Sequence, residues 1–262
     1  MLLLTFHNNQ MNIKHLFLIA FITLLGSCKQ DSHLYKIEGK QVPISDSLES
    51  KAEIDSYIKP YRENLEKNMS TVLAYSVDTY SKRDGELNTA IGNLMADAVY
   101  EESNPIFNKR TGKNIDFVLL NHGGIRSIMS KGDVITRTAY ELMPFDNSVV
   151  VVELRSAQVK ELIEYLARAK RAHPISRLKI VLDKDYGINS AFVNNKPLDN
   201  TKIYNVATND YLYNGGDHMD FFKTNDSLHV LNYKIRNVLL DYFEKKDTLN
   251  PVIDDRFIQI KN

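Results

Sequence analysis

Three short segments of this chain carry residue types that build sites rather than cores. The first, Asn121-His122-Gly123-Gly124-Ile125-Arg126, follows the apolar run Ile115 to Leu120. Paired glycines at a strand end let the backbone approach a ligand closely or adopt positive φ. The arginine offers a planar five-donor fork matched to phosphate or carboxylate. The same residues would also make a tight turn with a solvated arginine. The second, Met143-Pro144-Phe145-Asp146-Asn147, sets a proline before an aromatic and two turn formers. That makes a rigid loop which either presents a ring, with Asn147 beside it, or plugs Phe145 into the core. The third, Asn209-Asp210-Tyr211-Leu212-Tyr213-Asn214-Gly215-Gly216-Asp217, joins an aromatic, a double glycine and an acid. It reads either as a ligand pocket, with Tyr211 to stack and Asp217 to bind hydroxyls or ring nitrogens, or as a hairpin with Asn-Gly at its tip. Two ring-bearing loops and an arginine-bearing one suit a flat, anionic ligand, because stacking a base on an aromatic ring contributes about 1–3 kcal/mol. A nucleotide fits that description, as do other aromatic phosphates.

The elements that position these loops alternate between the two periodicities. Helical spacing predicts helices over Ser47 to Asn68, Thr89 to Tyr100 and Ser156 to Lys170, the last with Ser156 as N-cap, and a late helix over Leu231 to Lys245. Short apolar or alternating runs predict strands at Thr71 to Thr79, Ile115 to Leu120, Val149 to Leu154, Leu178 to Leu182 and Ile203 to Thr208. No Gly-rich phosphate loop follows the first strand, so a Rossmann or P-loop fold has no support.

The bulk numbers bound the function. Lys plus Arg equals Asp plus Glu, 33 each, so the net charge is zero and a nucleic-acid polymer is not the expected partner. Met11 to Ser27 reads as a signal peptide: Lys14 supplies the charge, and the apolar run Leu16 to Leu25 is shorter than the roughly 20 residues a membrane span needs. The only cysteine follows at once, in Leu25-Gly26-Ser27-Cys28. That resembles a bacterial lipobox, whose cysteine is lipidated; the plainer alternative is an ordinary signal peptide with an incidental cysteine. The expected layout is residues 1–28 as extension plus lipoprotein signal, 29–45 as a tether and 46–262 as one folded domain. The chain would then be exported and lipid-anchored to a bacterial membrane, facing the periplasm or the exterior.

Taken together, Gly92-Asn93-Leu94-Met95-Ala96-Asp97-Ala98, NHGGIR (121–126), PFDN (144–147) and VATNDYLYNGGD (206–217) stand in the order and rough spacing of the 5′-nucleotidase C-terminal domain family, which the chain resembles from about Thr71 to Phe222. The resemblance implies a single α+β domain of four layers (α/β/β/α) with mixed sheets. In full enzymes this domain binds substrate, while a separate metallophosphatase domain holds two metal ions. The resemblance further implies that Arg126 meets the phosphate region, that Asn121 with Gly123 and Gly124 lines that pocket, that Phe145 and Tyr211 clamp the base, and that Asp217 binds the nucleoside. Two departures stand out. Where the family places an arginine before its Gly-Asn-Leu helix, this chain has Gly85-Glu86-Leu87-Asn88, with Arg83 only an approximate substitute. Where the family has a Ser-Gly step near the base, Ser176 is followed by Arg177, which would either obstruct the base or supply the missing cation.

A dinuclear phosphatase needs Asp, His and Asn ligands holding ions about 3.5–4 Å apart. The Asp-x-His pattern occurs once, as Asp31-Ser32-His33 in the tether, and Asn121-His122 is followed by Gly123 where an acid is required. No metal site, no catalytic residue and no cofactor is therefore expected in this chain, and divalent metals only in a partner metallophosphatase. Two functions remain: the nucleotide-binding component of a split 5′-nucleotidase-type system, inactive alone, or an independent nucleotide- or nucleoside-binding lipoprotein for scavenging. A structural remnant whose pocket no longer binds is a third.

Overall fold

Four consecutive valines, Val149 to Val152, run through the middle of the fold, and side chains of successive strand residues point to opposite faces. Val149 and Val151 enter one apolar core; Val150, Val152 and Leu154 enter a second. A strand that reads as unbroken apolar sequence is thus buried on both faces, as a central strand should be. In the computed structural model the described residues are 13, 14, 17, 18, 20, 21, 34–45 and 47–260. Cys28, its lipobox and Asp31-Ser32-His33 lie outside them.

The chain divides into two units, Met1–Ala52 and Glu53–Asn262. In the first, residues 34–45 carry no helix or strand and are exposed. The second holds three mixed sheets. The largest has the order β10-β4-β9-β2-β5, formed by β2 (Phe117–Leu119), β4 (Ser148–Arg155), β5 (Ile175–Ser176), β9 (Ile203–Asn209) and β10 (Ser227–Lys234). One core lies between it, the helices α2 (Ala90–Thr111) and α6 (Ile235–Glu244), and a small sheet of β1 (Val72–Ser76), β3 (Gly132–Ile135) and β11 (Thr248–Leu249). The other lies between it, α4 (Ser156–Ala169), and a sheet of β6 (Leu178–Leu182), β7 (Ile188–Val193), β8 (Lys196–Pro197) and β12 (Phe257–Gln259). The remaining helices are α1 (Ala52–Met69), α3 (Thr136–Leu142) and the short α5 (Asp210–Tyr213). This is the α+β, mixed-sheet architecture the motifs imply.

Several local expectations need correction. Helix α2 does not stop at Tyr100 but continues to Thr111, because Ser103 and Phe107 keep its inner face buried. It ends where Gly112 adopts the left-handed conformation, φ 72°, and its N–H caps the carbonyl of Asn108. The run from Leu231 is not one helix. Its first part is the end of β10, Asn232 turns left-handed at φ 55°, and the helix begins only at Ile235. Ser156 is the first residue of α4 rather than its N-cap, and its hydroxyl donates to the carbonyl of Asn200 at 2.6 Å.

Candidate functional site

Strand topology brings the three segments to one end of the large sheet. β2 and β9 are parallel, so the segment leaving β2 (121–126) and the one leaving β9 (209–217) emerge on the same side. β4 runs antiparallel to β9, with Val149 opposite Asn209, so the segment entering β4 (143–147) arrives there too. Together they line a cavity of about 310 Å³ whose wall is Asn121, Gly123, Arg126, Phe145, Asn147, Tyr211 and Asp217.

Each side chain is held by its neighbours. Asn121 is buried, and its Oδ1 accepts from Nδ2 of Asn209 at 3.2 Å. Asn209 in turn caps α5, its Oδ1 accepting from the N–H of Leu212 at 2.8 Å. Residues 122–124 form a single 3₁₀ turn. Neither Gly123 nor Gly124 has positive φ; a Cβ on Gly123 would meet Nδ2 of Asn121 at an ordinary 3.4 Å, so only Gly124 is short of space. A Cβ on Gly124 would stand 3.1 Å from Oδ1 of Asn121, so Gly124 lies behind the asparagine rather than on the cavity wall. The loop around Phe145 is pinned by Asp146, which receives Nη2 of Arg236 at 2.8 Å and Nζ of Lys234 at 2.9 Å. Those bonds hold the Asp146 carboxyl below its usual range, the Lys234 bond most. Phe145 is left 40% exposed, free to meet a ligand, and the Arg126 guanidinium carbon lies 5.7 Å from its ring centre.

The opposing ring sits on bare backbone. A Cβ on Gly216 would come within 2.4 Å of the Tyr211 ring. The Tyr211 hydroxyl donates to Oδ1 of Asp217 at 2.9 Å, and this bond, with some burial, raises the phenol above its usual range. Asp217 reaches that position with a left-handed backbone, φ 52°, secured by Tyr165, whose hydroxyl donates to its carbonyl at 2.8 Å. The segment is therefore a helical turn followed by a 3₁₀ turn over Gly216–His218, not a hairpin. The acid sits with one ring, the cation with the other.

Behind the 121–126 loop lies a second layer that sequence reasoning missed. Lys82 donates from Nζ to the carbonyl of Ile125 at 2.7 Å. Nδ1 of His122 lies 3.0 Å from the carbonyl of Ala172, and the His122 N–H donates to Nδ1 of His173 at 3.3 Å. Burial pushes His173 down to about 4, so it is neutral and can accept that bond, and it lowers His122 as well. The signal available in sequence was the basic stretch Arg168-Ala169-Lys170-Arg171 at the end of α4.

Arg177 is not at the cavity. It lies over the Tyr100 ring, 4.5 Å from its centre, with Nε on Asn194, and lines a separate depression with Asp254 and Arg256. It neither obstructs Phe145 and Tyr211 nor replaces a missing cation. Its φ of 62° is a conformation that glycine adopts without penalty, so a glycine is the comfortable residue here for backbone reasons alone. Arg83 is exposed and does not line the cavity. Among the described residues no cluster of three His, Cys, Asp or Glu side chains could hold a metal ion, and no helix is long and apolar enough to cross a membrane.

The chain belongs to the family described as 5′-nucleotidase, C-terminal domain, whose profile matches residues 68–224. It is similar to a 5′-nucleotidase-related protein of Glossina morsitans morsitans, 25% identical over an alignment of 242 residues that covers 84% of this chain and 43% of that protein. It is also similar to the cell wall protein Lmo0130 of Listeria monocytogenes, 27% identical over 58% of this chain and 24% of that protein. The fold matches a 5′-nucleotidase precursor from Thermus thermophilus with a TM-score of 0.66 and 19% identity, covering 79% of this chain and 43% of that one. The chain thus spans less than half the length of these relatives.

Proposed function

We propose that this chain is the nucleotide-recognition component of a 5′-nucleotidase-type phosphohydrolase system, working beside a separately encoded metallophosphatase that supplies the divalent metals. The observation that carries this reading is the convergence of Phe145, Tyr211, Arg126 and Asp217 on one cavity. A base stacks between the two half-exposed rings. Asp217 holds the nucleoside hydroxyls through the oxygen that Tyr211 leaves open. Arg126 faces the phosphate, and Asn121, with Asn147, closes the wall. The metals and the water attack belong to the partner; the role of this chain is to hold and orient the nucleotide. Cys28 carries a lipid that keeps the domain on a bacterial membrane, outside the cytoplasm, with residues 29–45 as its tether and 46–262 as the binding domain. That one relative is a cell wall protein supports export.

Calorimetry of the full-length chain tests the reading. AMP binds, and ribose 5-phosphate, which lacks the base, binds at least about tenfold more weakly, because each stacked base contributes about 1–3 kcal/mol. Equal affinity for the two ligands would show that the rings take no part. Binding of AMP without any hydrolysis gain on reconstitution with metallophosphatases encoded beside it would favour an independent nucleotide-binding lipoprotein instead.

A further inference from the structure

Of the two rings at the cavity, Phe145 offers only a face, whereas Tyr211 carries a hydroxyl, and that hydroxyl is turned to Asp217. Asp217 has little else to hold its side chain. Among the described residues it forms no ion pair, while acids close to it in the same segments do: Asp146 meets Lys234 and Arg236, and Asp220 meets Lys223 at 2.7 Å. The Tyr211 bond, at 2.9 Å, is the contact that fixes the Asp217 carboxyl. An ionised carboxylate accepts about four hydrogen bonds, so this one leaves most of its capacity for a ligand.

The backbone under the acid is unusual as well. Asp217 (φ 52°) and His218 (φ 60°) are successive left-handed residues, a conformation that glycine adopts readily and other residues hold only where their surroundings determine it. Here the N–H of His218 donates to the carbonyl of Gly215 at 3.2 Å, that of Met219 to the carbonyl of Gly216 at 3.1 Å, and the Tyr165 hydroxyl to the carbonyl of Asp217 at 2.8 Å. Tyr165 reaches over from α4, its ring braced edge-on by His173 and Phe221, each 5.8 Å away between centres. One tyrosine thus holds the carbonyl of Asp217 and another its carboxyl. A ligand that had to order this side chain from free rotamers would lose part of its affinity in doing so.

We propose that the hydroxyls of Tyr211 and Tyr165 are positioning groups for Asp217, so that recognition of the sugar depends on the same residue whose ring holds the base. The inference rests on the nucleotide reading of the cavity, since Asp217 meets sugar hydroxyls only if a nucleoside lies there. It gives Tyr211 a second task, separate from its stacking face, and it gives a task to Tyr165, which does not line the cavity. Removing the Tyr211 hydroxyl alone leaves a stacking ring beside a carboxylate that is no longer aimed.

The test is a calorimetric comparison of AMP with 2′,3′-dideoxyadenosine monophosphate, which lacks both sugar hydroxyls, on the full-length chain and on its Tyr211→Phe, Tyr165→Phe and Asp217→Asn variants. The readout is the ratio of the two affinities, in which any loss of stacking or of folded protein common to both ligands cancels. The unaltered chain is expected to bind AMP at least about tenfold tighter than the dideoxy ligand, as hydrogen bonds to a charged acceptor would give. Asp217→Asn sets the ratio without the acid, and Tyr211→Phe should fall most of the way to it, to about threefold or less. Tyr165→Phe should move in the same direction. A ratio unchanged in Tyr211→Phe would overturn the proposal, and one unchanged in Tyr165→Phe would overturn the part given to that hydroxyl. A ratio near one in the unaltered chain would show that Asp217 does not read the sugar, and failure of both ligands to bind would remove the nucleotide reading itself; the positioning role falls in either case.

Discussion

Adding one methyl group at Gly216 should cost this protein most of its base binding. A Cβ there would stand 2.4, 2.5 and 2.6 Å from Cε1, Cζ and Cδ1 of Tyr211, where carbon atoms rest at about 3.5–4.0 Å. The ring must therefore retreat by about 1 Å or swing aside. Its hydroxyl would then leave Asp217, at present 2.9 Å away. Gly216 is not among the glycines with positive φ, so alanine is conformationally acceptable and the effect is confined to the ring. Losing one stacking face is worth about 1–3 kcal/mol, which is about five- to 150-fold in affinity for AMP. Tyr211→Ala should give a loss of the same size. Because both changes act through one ring, the double variant should bind no worse than Tyr211→Ala alone, a strong departure from additivity. The assay is AMP calorimetry on the four proteins of the cycle. An additive double variant, or a Gly216→Ala protein with unchanged affinity, would refute the reasoning that the Tyr211 ring is the clamp and Gly216 its seat.

Other expectations follow from the same geometry. Arg126→Ala should bring AMP affinity down about tenfold or more, toward that of adenosine, since a charge-assisted contact to phosphate contributes about 1.5–3 kcal/mol; adenosine binding should not change. Arg177→Gly should leave AMP affinity untouched, because Arg177 lies on Tyr100 and away from the cavity; a gain or loss of more than about threefold, well under the 1.4 kcal/mol of a tenfold change, would contradict that placement. Stability should fall in acid through His173. Its pKa is lowered by burial from 6.5 to about 4, so between those values the unfolded chain binds the extra proton and the folded one does not. The stability is intact above pH 6.5 and is lost progressively toward pH 4, by an amount on the order of 3 kcal/mol at about 1.4 kcal/mol per pH unit. Urea unfolding at about pH 7, above that window, and at about pH 4.5, near its lower end, should show this dependence, and His173→Gln should flatten it; an unchanged slope in the variant would place the acid sensitivity elsewhere.

The site is more legible in the sequence than the fold around it, and the reason is chemical. Residues such as Arg126, Phe145, Tyr211 and Asp217 stand out because a loop has no packing reason to hold them in company with glycines and prolines. What the sequence does not show is which loops share a side of the sheet. That follows from β2 lying parallel and β4 antiparallel to β9, a long-range pairing. Arg177 misleads for the opposite reason: adjacent in sequence to Ser176 at the end of β5, it turns left-handed and leaves for the neighbouring sheet. The short strands β3, β8, β11 and β12 go undetected because two to four residues are too few to display alternation. The run through Leu231 reads as helix because its apolar density continues unbroken across Asn232, where a single left-handed residue ends a strand and admits a helix. Lys82 and the stretch Arg168 to Arg171 escape notice because basic residues in a loop or past a helix end read as solvated surface until the fold fastens Lys82 and the carbonyl of Ala172 to the same loop.

The central claim is that a base lies between Phe145 and Tyr211, and a crystal structure of the chain with AMP tests it most directly. The expected result is an adenine ring stacked on both side chains, ribose hydroxyls on Asp217 and the phosphate within hydrogen-bonding distance of Arg126. An AMP molecule bound elsewhere, or in this cavity with its base turned away from both rings, would contradict the account.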